Sequence, residues 1–172
     1  MSPSNCGENG PESATDGALP SLALVRKLAQ RPATSHEERV EQWVEVFRAI
    51  GSPAYFDADQ LRVWARESLA RDAHVGGKQR QLEAIIAAPG RRAALRGLRV
   101  PTLVLHGLLD PLQPAVNGLD TARTIPGADL LMLGELAHDL PPQLWERMVE
   151  AIARNAALAQ REKRGSPNAA DR

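Results

Sequence analysis

Residues 99–144 read RVPTLVLHGLLDPLQPAVNGLDTARTIPGADLLMLGELAHDLPPQL and contain two short apolar runs on either side of a helix-length segment. The runs, residues 102–105 and 130–133, are bounded by proline, glycine and aspartate. Short apolar runs between turn residues are typical of strands buried on both faces. The intervening residues 115–125, followed by Pro126, predict a helix. The stretch therefore predicts a strand–helix–strand unit with parallel strands and a right-handed crossover.

Asp110 and His138 each follow one of these predicted strands. Parallel strands end at the same edge of a sheet and neighbours lie roughly 5 Å apart, so the two loops should open side by side. Asp110 could then accept a hydrogen bond from Nδ1–H of His138, as the acid does in a Ser-His-Asp triad. The competing interpretations are a loop-capping aspartate and a solvent-exposed loop histidine.

A nucleophile for such a triad is not evident in the sequence. The G-x-S-x-G pattern that places a serine on a strand-to-helix turn is absent. Ser35 is explained as a helix N-cap and Ser52 as part of a Gly-Ser-Pro turn, while Cys6 lies in a polar segment with no strand before it. His106 ends the first predicted strand, which favours a structural role.

Neither a metal nor a cofactor is predicted. The four histidines are scattered and the single cysteine provides no set of thiolate ligands. The sequence also lacks the glycine-rich patterns that bind dinucleotides or nucleotide phosphates.

Composition predicts one globular, cytoplasmic domain without a membrane or nucleic-acid partner. The 172 residues are 43% hydrophobic with a formal net charge of zero, and no apolar run approaches the roughly 20 residues of a membrane span. A lone cysteine favours a reducing compartment. Residues 78–99 carry six basic residues and one acidic residue, which leaves nucleic-acid binding as a weaker alternative to a solvated helix face.

Residues 21–98 carry helix signals only. Ser35 and Glu38 form a capping-box pattern, and Asp57 with Gln60 marks the start of the next helix. We predict helices over residues 21–30, 36–50, 78–88 and 91–98, and a further helix that begins after Asp57. A last helix is predicted over about 141–159, with Asp139 as its N-cap. Its predicted inner face is apolar and consists of Leu144, Trp145, Met148, Val149 and Ile152. Two parallel strands alone leave two open edges, so we expect further strands outside these residues.

Residues 98–107, Asp110 with Pro111, 125–128 and 137–141 together resemble the C-terminal half of an α/β-hydrolase. In that family the acid follows the penultimate core strand and the histidine follows the last, which implies these roles for Asp110 and His138. Residues 21–98 resemble the helical cap of esterase-like members such as the aclacinomycin methylesterases.

The resemblance implies an incomplete α/β-hydrolase fold, in which a helical cap precedes a βαβα unit with two parallel strands. It implies a cap over residues 21–98 and the C-terminal part of the core over residues 99–160, while composition predicts a flexible segment over residues 1–20 and a disordered tail over residues 161–172. Four cap side chains would roof an apolar pocket for a small ester, although a plain cap core explains them equally: Trp43, Phe47, Trp64 and Leu82.

Two functional hypotheses follow. In the first, the chain is the C-terminal part of a Ser-His-Asp esterase, inactive by itself because the nucleophile and the oxyanion hole are missing from these residues. In the second, it is a non-catalytic helical module that binds a partner or a second copy of itself through its cap helices or its open sheet edge.

Overall fold

The computed structural model describes residues 18–31, 33–71, 77–88 and 90–165. Five helices precede the strands in this part of the chain, as the sequence predicts. In chain order the elements are α1 (Leu22–Leu28), α2 (His36–Ile50), α3 (Ala58–Arg71), α4 (Gly77–Ala87), α5 (Arg92–Arg96), β1 (Leu103–Gly107), α6 (Ala115–Thr124), β2 (Asp129–Leu133) and α7 (Trp145–Gly165).

The two strands form a parallel pair. Leu103 lies opposite Asp129 at one end and Gly107 lies opposite Leu133 at the other. The amide of Leu108 donates to the Leu133 carbonyl at 2.9 Å, so the pairing continues past the end of β1. The predicted strand–helix–strand unit is therefore present, with α6 packed on both strands.

The hydrophobic core is formed by side chains of β2, of α7 and of the segment that joins them. Its buried cluster comprises Leu133, Leu136, Leu144 and Met148, with Tyr55, Leu105 and Leu131 packed against it. Because Tyr55 comes from the turn after α2, the cap helices share this core with the strands. Burial of this apolar surface supplies the main favourable free energy for joining the two parts.

Helices α2 and α3 pack against each other through buried apolar side chains and surface ion pairs. Arg62 Nε lies 2.7 Å from a Glu41 carboxylate oxygen, and Arg66 lies 3.0 Å from Glu37. The hydrogen bond from Arg62 holds the pKa of Glu41 below its usual value. These side chains are partly or largely exposed, so the ion pairs contribute little to stability, and burial of residues such as Val44 on α2 and Ala65 on α3 contributes more.

The capping box predicted for α2 is present. Glu38 N–H donates to Ser35 Oγ at 3.2 Å, and the Glu38 carboxylate accepts from the Ser35 N–H. Ser35→Ala is expected to lower the free energy of unfolding by about 1 kcal/mol because the first turn of α2 loses this acceptor. Urea unfolding monitored by circular dichroism measures the change, and an unchanged midpoint would contradict it.

The start of α7 differs from the prediction. Asp139 is not its N-cap; a 3-10 turn over Pro142–Leu144 leads directly into Trp145. The Asp139 side chain instead accepts hydrogen bonds from Ser52, far away in sequence. Sequence spacing favours a local cap, but this tertiary partner takes up both carboxylate oxygens.

The inner face of α7 also differs from the prediction. Leu144 and Met148 are buried, whereas Trp145, Val149 and Ile152 are 51%, 61% and 56% exposed. Helical periodicity identifies the apolar stripe, but the two strands present in this part of the chain cover only one side of it. Helix α7 also continues to Gly165, five residues into the predicted tail.

Several predictions fall on residues outside the described ones. They concern the segment 1–17 with Cys6, the remaining tail residues 166–172, and the Leu82 side chain. Among the described residues, no helix is both long and apolar enough to cross a membrane. Within the same residues, no three histidine, cysteine, aspartate or glutamate side chains lie together as metal ligands would.

Candidate active site

The structure brings Asp110 and His138 together at the carboxyl ends of β1 and β2. His138 Nδ1 lies 2.7 Å from Asp110 Oδ2. The Asp110 side chain is 6% exposed and that of His138 is 23% exposed. A carboxylate only accepts hydrogen bonds, so in the neutral imidazole the proton lies on Nδ1 and Nε2 keeps its lone pair. This is the tautomer in which an imidazole can act as a general base.

Asp110 uses its two oxygens for different partners. Its Oδ1 accepts backbone N–H bonds from Leu112 at 2.9 Å and from Gln113 at 2.7 Å, while Oδ2 faces His138. The loop-capping and the histidine-binding interpretations therefore both hold. The two amide donors fix the orientation of the carboxylate.

Gly107 allows the two loops to meet. A Cβ at this position would lie 2.3 Å from the Leu136 carbonyl oxygen, which is backbone and cannot turn away. The Leu109 amide donates to that same carbonyl at 3.0 Å. The end of β1 is thus pressed against the loop that carries His138, which brings the acid within hydrogen-bonding distance of the imidazole.

His106 supports the site without facing it. It is 5% exposed, and its Nε2 donates to the Gln113 carbonyl oxygen at 2.8 Å. Because Gln113 in turn donates its N–H to Asp110, this bond steadies the loop around the acid. This arrangement is consistent with the structural role predicted for His106.

The loop that carries His138 is also fixed from the cap side. The His138 N–H donates to the Ile50 carbonyl at 2.8 Å, at the last residue of α2. Ser52, two residues further on, binds residues on both sides of His138. The sequence pattern places Ser52 in a turn only, because its partners lie 85 and 87 residues away and no local signal indicates them.

His138 opens into a cleft of about 460 Å³ between the cap and the end of β2. Three of the predicted pocket residues, Trp43, Phe47 and Trp64, line this cleft together with His138. The fourth, Leu82, has no described side chain. The remaining lining residues are Tyr55, Phe56, Asp57, Gln60, Leu61, Asp139, Leu140, Pro141, Pro142, Gln143 and Trp145.

Aromatic rings dominate the walls of the cleft. Trp43 and Phe47 lie with ring centroids 4.2 Å apart, and the Arg48 guanidinium lies 4.2 Å above the centre of the Phe56 ring. The sequence pattern does not indicate Tyr55, Phe56 and Trp145 as lining residues, because only the fold places the turn after α2 opposite the start of α7. Such a wall favours flat apolar ligands through contact area and ring stacking.

Comparison with known proteins gives matches to ester-cleaving enzymes. Over 136 residues the chain is 30% identical to rhodomycin D methylesterase DnrP of Streptomyces peucetius, covering 77% of this chain and 45% of that protein. DauP, the rhodomycin D methylesterase of a second Streptomyces strain, matches with the same identity and coverage. The chain thus spans just under half the length of the curated relatives it matches. No protein-family model matches the sequence.

Solved structures with a similar fold include two further enzymes. An enol-lactonase from Burkholderia xenovorans superposes with a TM-score of 0.61 at 18% identity, covering 82% of this chain and 53% of that one. Esterase RhEst1 from a Rhodococcus species gives a TM-score of 0.55 at 18% identity, covering 81% of this chain and 50% of that one. At this level of identity the likeness establishes the fold.

Proposed function

Because the chain has the helical cap and the last two core strands of an α/β-hydrolase fold, we propose that it supplies the acid and the base of a serine ester hydrolase. The observation that carries this proposal is the 2.7 Å bond between Asp110 and His138 beside an aromatic cleft. Asp110 is the acid that orients the imidazole, and His138 is the general base.

The nucleophile in this proposal comes from outside the 172 residues, since they contain no G-x-S-x-G turn. Its hydroxyl oxygen attacks the ester carbonyl while Nε2 of His138 takes the proton. The tetrahedral intermediate then collapses, and Nε2–H protonates the departing alcohol. A water molecule, deprotonated by the same nitrogen, cleaves the acyl-serine, which releases the carboxylic acid and restores the serine.

The cleft favours a small ester of a flat aromatic acid. Its rings provide stacking surface, and the polar lining residues besides His138 are Tyr55, Asp57, Gln60, Asp139 and Gln143. By their names the curated relatives are methylesterases for rhodomycin D. We propose that this chain also acts on an ester bond, and we choose methyl 2-naphthoate, a flat aromatic methyl ester, as the probe.

A fusion protein tests the proposed function. It joins this chain to the part of the Streptomyces peucetius methylesterase that lies outside the matched region. We expect the fusion to hydrolyse methyl 2-naphthoate, and we expect the chain alone to leave the ester intact. A folded fusion that lacks hydrolysis, or equal hydrolysis by the chain alone, would contradict the proposal.

Binding to the cleft can be measured on the chain itself. All three tryptophans of the sequence, Trp43, Trp64 and Trp145, line the cleft, so their fluorescence reports on a bound ligand. We expect methyl 2-naphthoate to quench it saturably, and Trp64→Ala to weaken binding roughly ten-fold because one stacking surface is lost. Val100→Ala, an exposed apolar residue elsewhere, should bind as the parent does. Equal dissociation constants for all three proteins would place the ligand outside the cleft.

The open surface of the sheet and α7 favours a second candidate, a module that associates with itself. The sheet has two strands in the described part of the chain, and Trp145, Val149 and Ile152 expose apolar area on α7. Sedimentation velocity tests this candidate. A dimer that Val149→Glu dissociates would support it, and a monomer at all concentrations would exclude it.

A further inference from the structure

Ser52 forms a buried connection between the cap and the loop of His138. Its exposed fraction is 1%. The hydroxyl donates to Asp139 Oδ1 at 2.5 Å and accepts from the Ala137 N–H at 2.9 Å. Its own N–H donates to Asp139 Oδ2 at 2.9 Å. All three bonds therefore end on the two residues that flank His138 in sequence.

Gly51 makes this approach feasible. A Cβ at Gly51 would lie 3.0 Å from Asp139 Oδ2 and 2.6 Å from the Phe47 carbonyl oxygen. The backbone of Gly51 can therefore lie close to the Asp139 carboxylate, which lets that carboxylate reach both donors of Ser52. The Gly-Ser-Pro sequence thus ends α2 and also binds the loop that carries His138.

The bonds to residues 137–139 restrain the loop at three successive positions. Ala137 is bound to Ser52, His138 to the Ile50 carbonyl, and Asp139 again to Ser52. Hydrogen bonds to a carboxylate are roughly twice as strong as neutral ones, so Asp139 is the firmest of these attachments. A histidine held on both sides has little freedom to swing away from its acid.

We propose that Ser52 and Asp139 are positioning residues that hold the His138 imidazole against Asp110. Their value for catalysis rests on the proposed function, whereas their effect on the His138–Asp110 bond is a property of this chain. The cap thereby serves two purposes, since the end of α2 also aligns the general base.

Proton NMR of the 172-residue chain tests the proposal. The Nδ1 proton of His138, held 2.7 Å from a buried carboxylate, should give a far-downfield resonance that His138→Gln removes. We expect Ser52→Ala and Asp139→Ala to abolish this resonance or broaden it through exchange with water. Retention of the parental resonance in either folded variant would overturn the proposal.

Ser35→Ala is the matched control. It removes a serine cap from the other end of the same helix, so it loosens α2 without touching the loop. The resonance should persist in this variant. An equal loss in Ser35→Ala would show that Ser52 affects the resonance only through the general stability of α2, which would contradict the proposal. If Ser52→Ala does not fold, Asp139→Ala at its partly exposed position decides the question. Since no ester turnover is measured, this result is independent of whether the fusion hydrolyses esters.

Discussion

Asp110→Asn is expected to lower kcat for ester hydrolysis by about 10⁴ in the fusion that supplies the nucleophile. The asparagine oxygen can still accept from Leu112 and Gln113, so the loop keeps its shape. Its side-chain NH2 group, however, would donate a hydrogen bond to His138 Nδ1, whereas the carboxylate accepts one from it. The imidazole then carries its proton on Nε2 and cannot take one from serine. Initial rates with methyl 2-naphthoate measure the loss.

Asp129→Asn is the control for this variant. Asp129 is an exposed carboxylate at the start of β2, at the opposite end of the strand from the site. It should leave kcat unchanged, which separates the role of Asp110 from a general effect of lost negative charge. Equal rates for the two variants would show that Asp110 is not the acid.

Gly107→Ala is expected to lower the free energy of unfolding by about 3 kcal/mol. The new methyl group would meet the carbonyl oxygens of Leu136 and Ala137 at 2.3 and 2.9 Å. Both atoms belong to the backbone, so relief requires the His138 loop to move away from β1. The Nδ1 resonance of His138 should therefore be lost together with the stability.

Gly134→Ala provides the comparison, because a Cβ at Gly134 meets no atom within 4 Å. Gly134 directly follows β2, and Gly107 is the last residue of β1. We expect Gly134→Ala to leave the free energy of unfolding nearly unchanged. Chemical denaturation of both variants measures the difference. Equal unfolding midpoints would show that the close approach at Gly107 does not contribute to stability.

The sequence determined the architecture of this chain because its signals are local. Apolar runs between turn residues define β1 and β2, and Ser35 with Glu38 defines the start of α2. Two strands joined by a single helix segment pair in parallel, and this places the loops of Asp110 and His138 at one edge. The pairing of Asp110 with His138 could therefore be predicted from the spacing of short motifs. The catalytic role of this pair is the proposal that we base on it.

Only the tertiary structure decided what surrounds that pair. Ser52 and Asp139 are 87 residues apart, and each carries a local signal, a turn and a helix cap, that explains it without the other. The aromatic cleft likewise needs the turn after α2 to face the start of α7. Periodicity shows that the α7 stripe is apolar, but its burial depends on which other elements pack there. Short motifs determine elements and their order, whereas contacts between distant residues depend on how those elements pack.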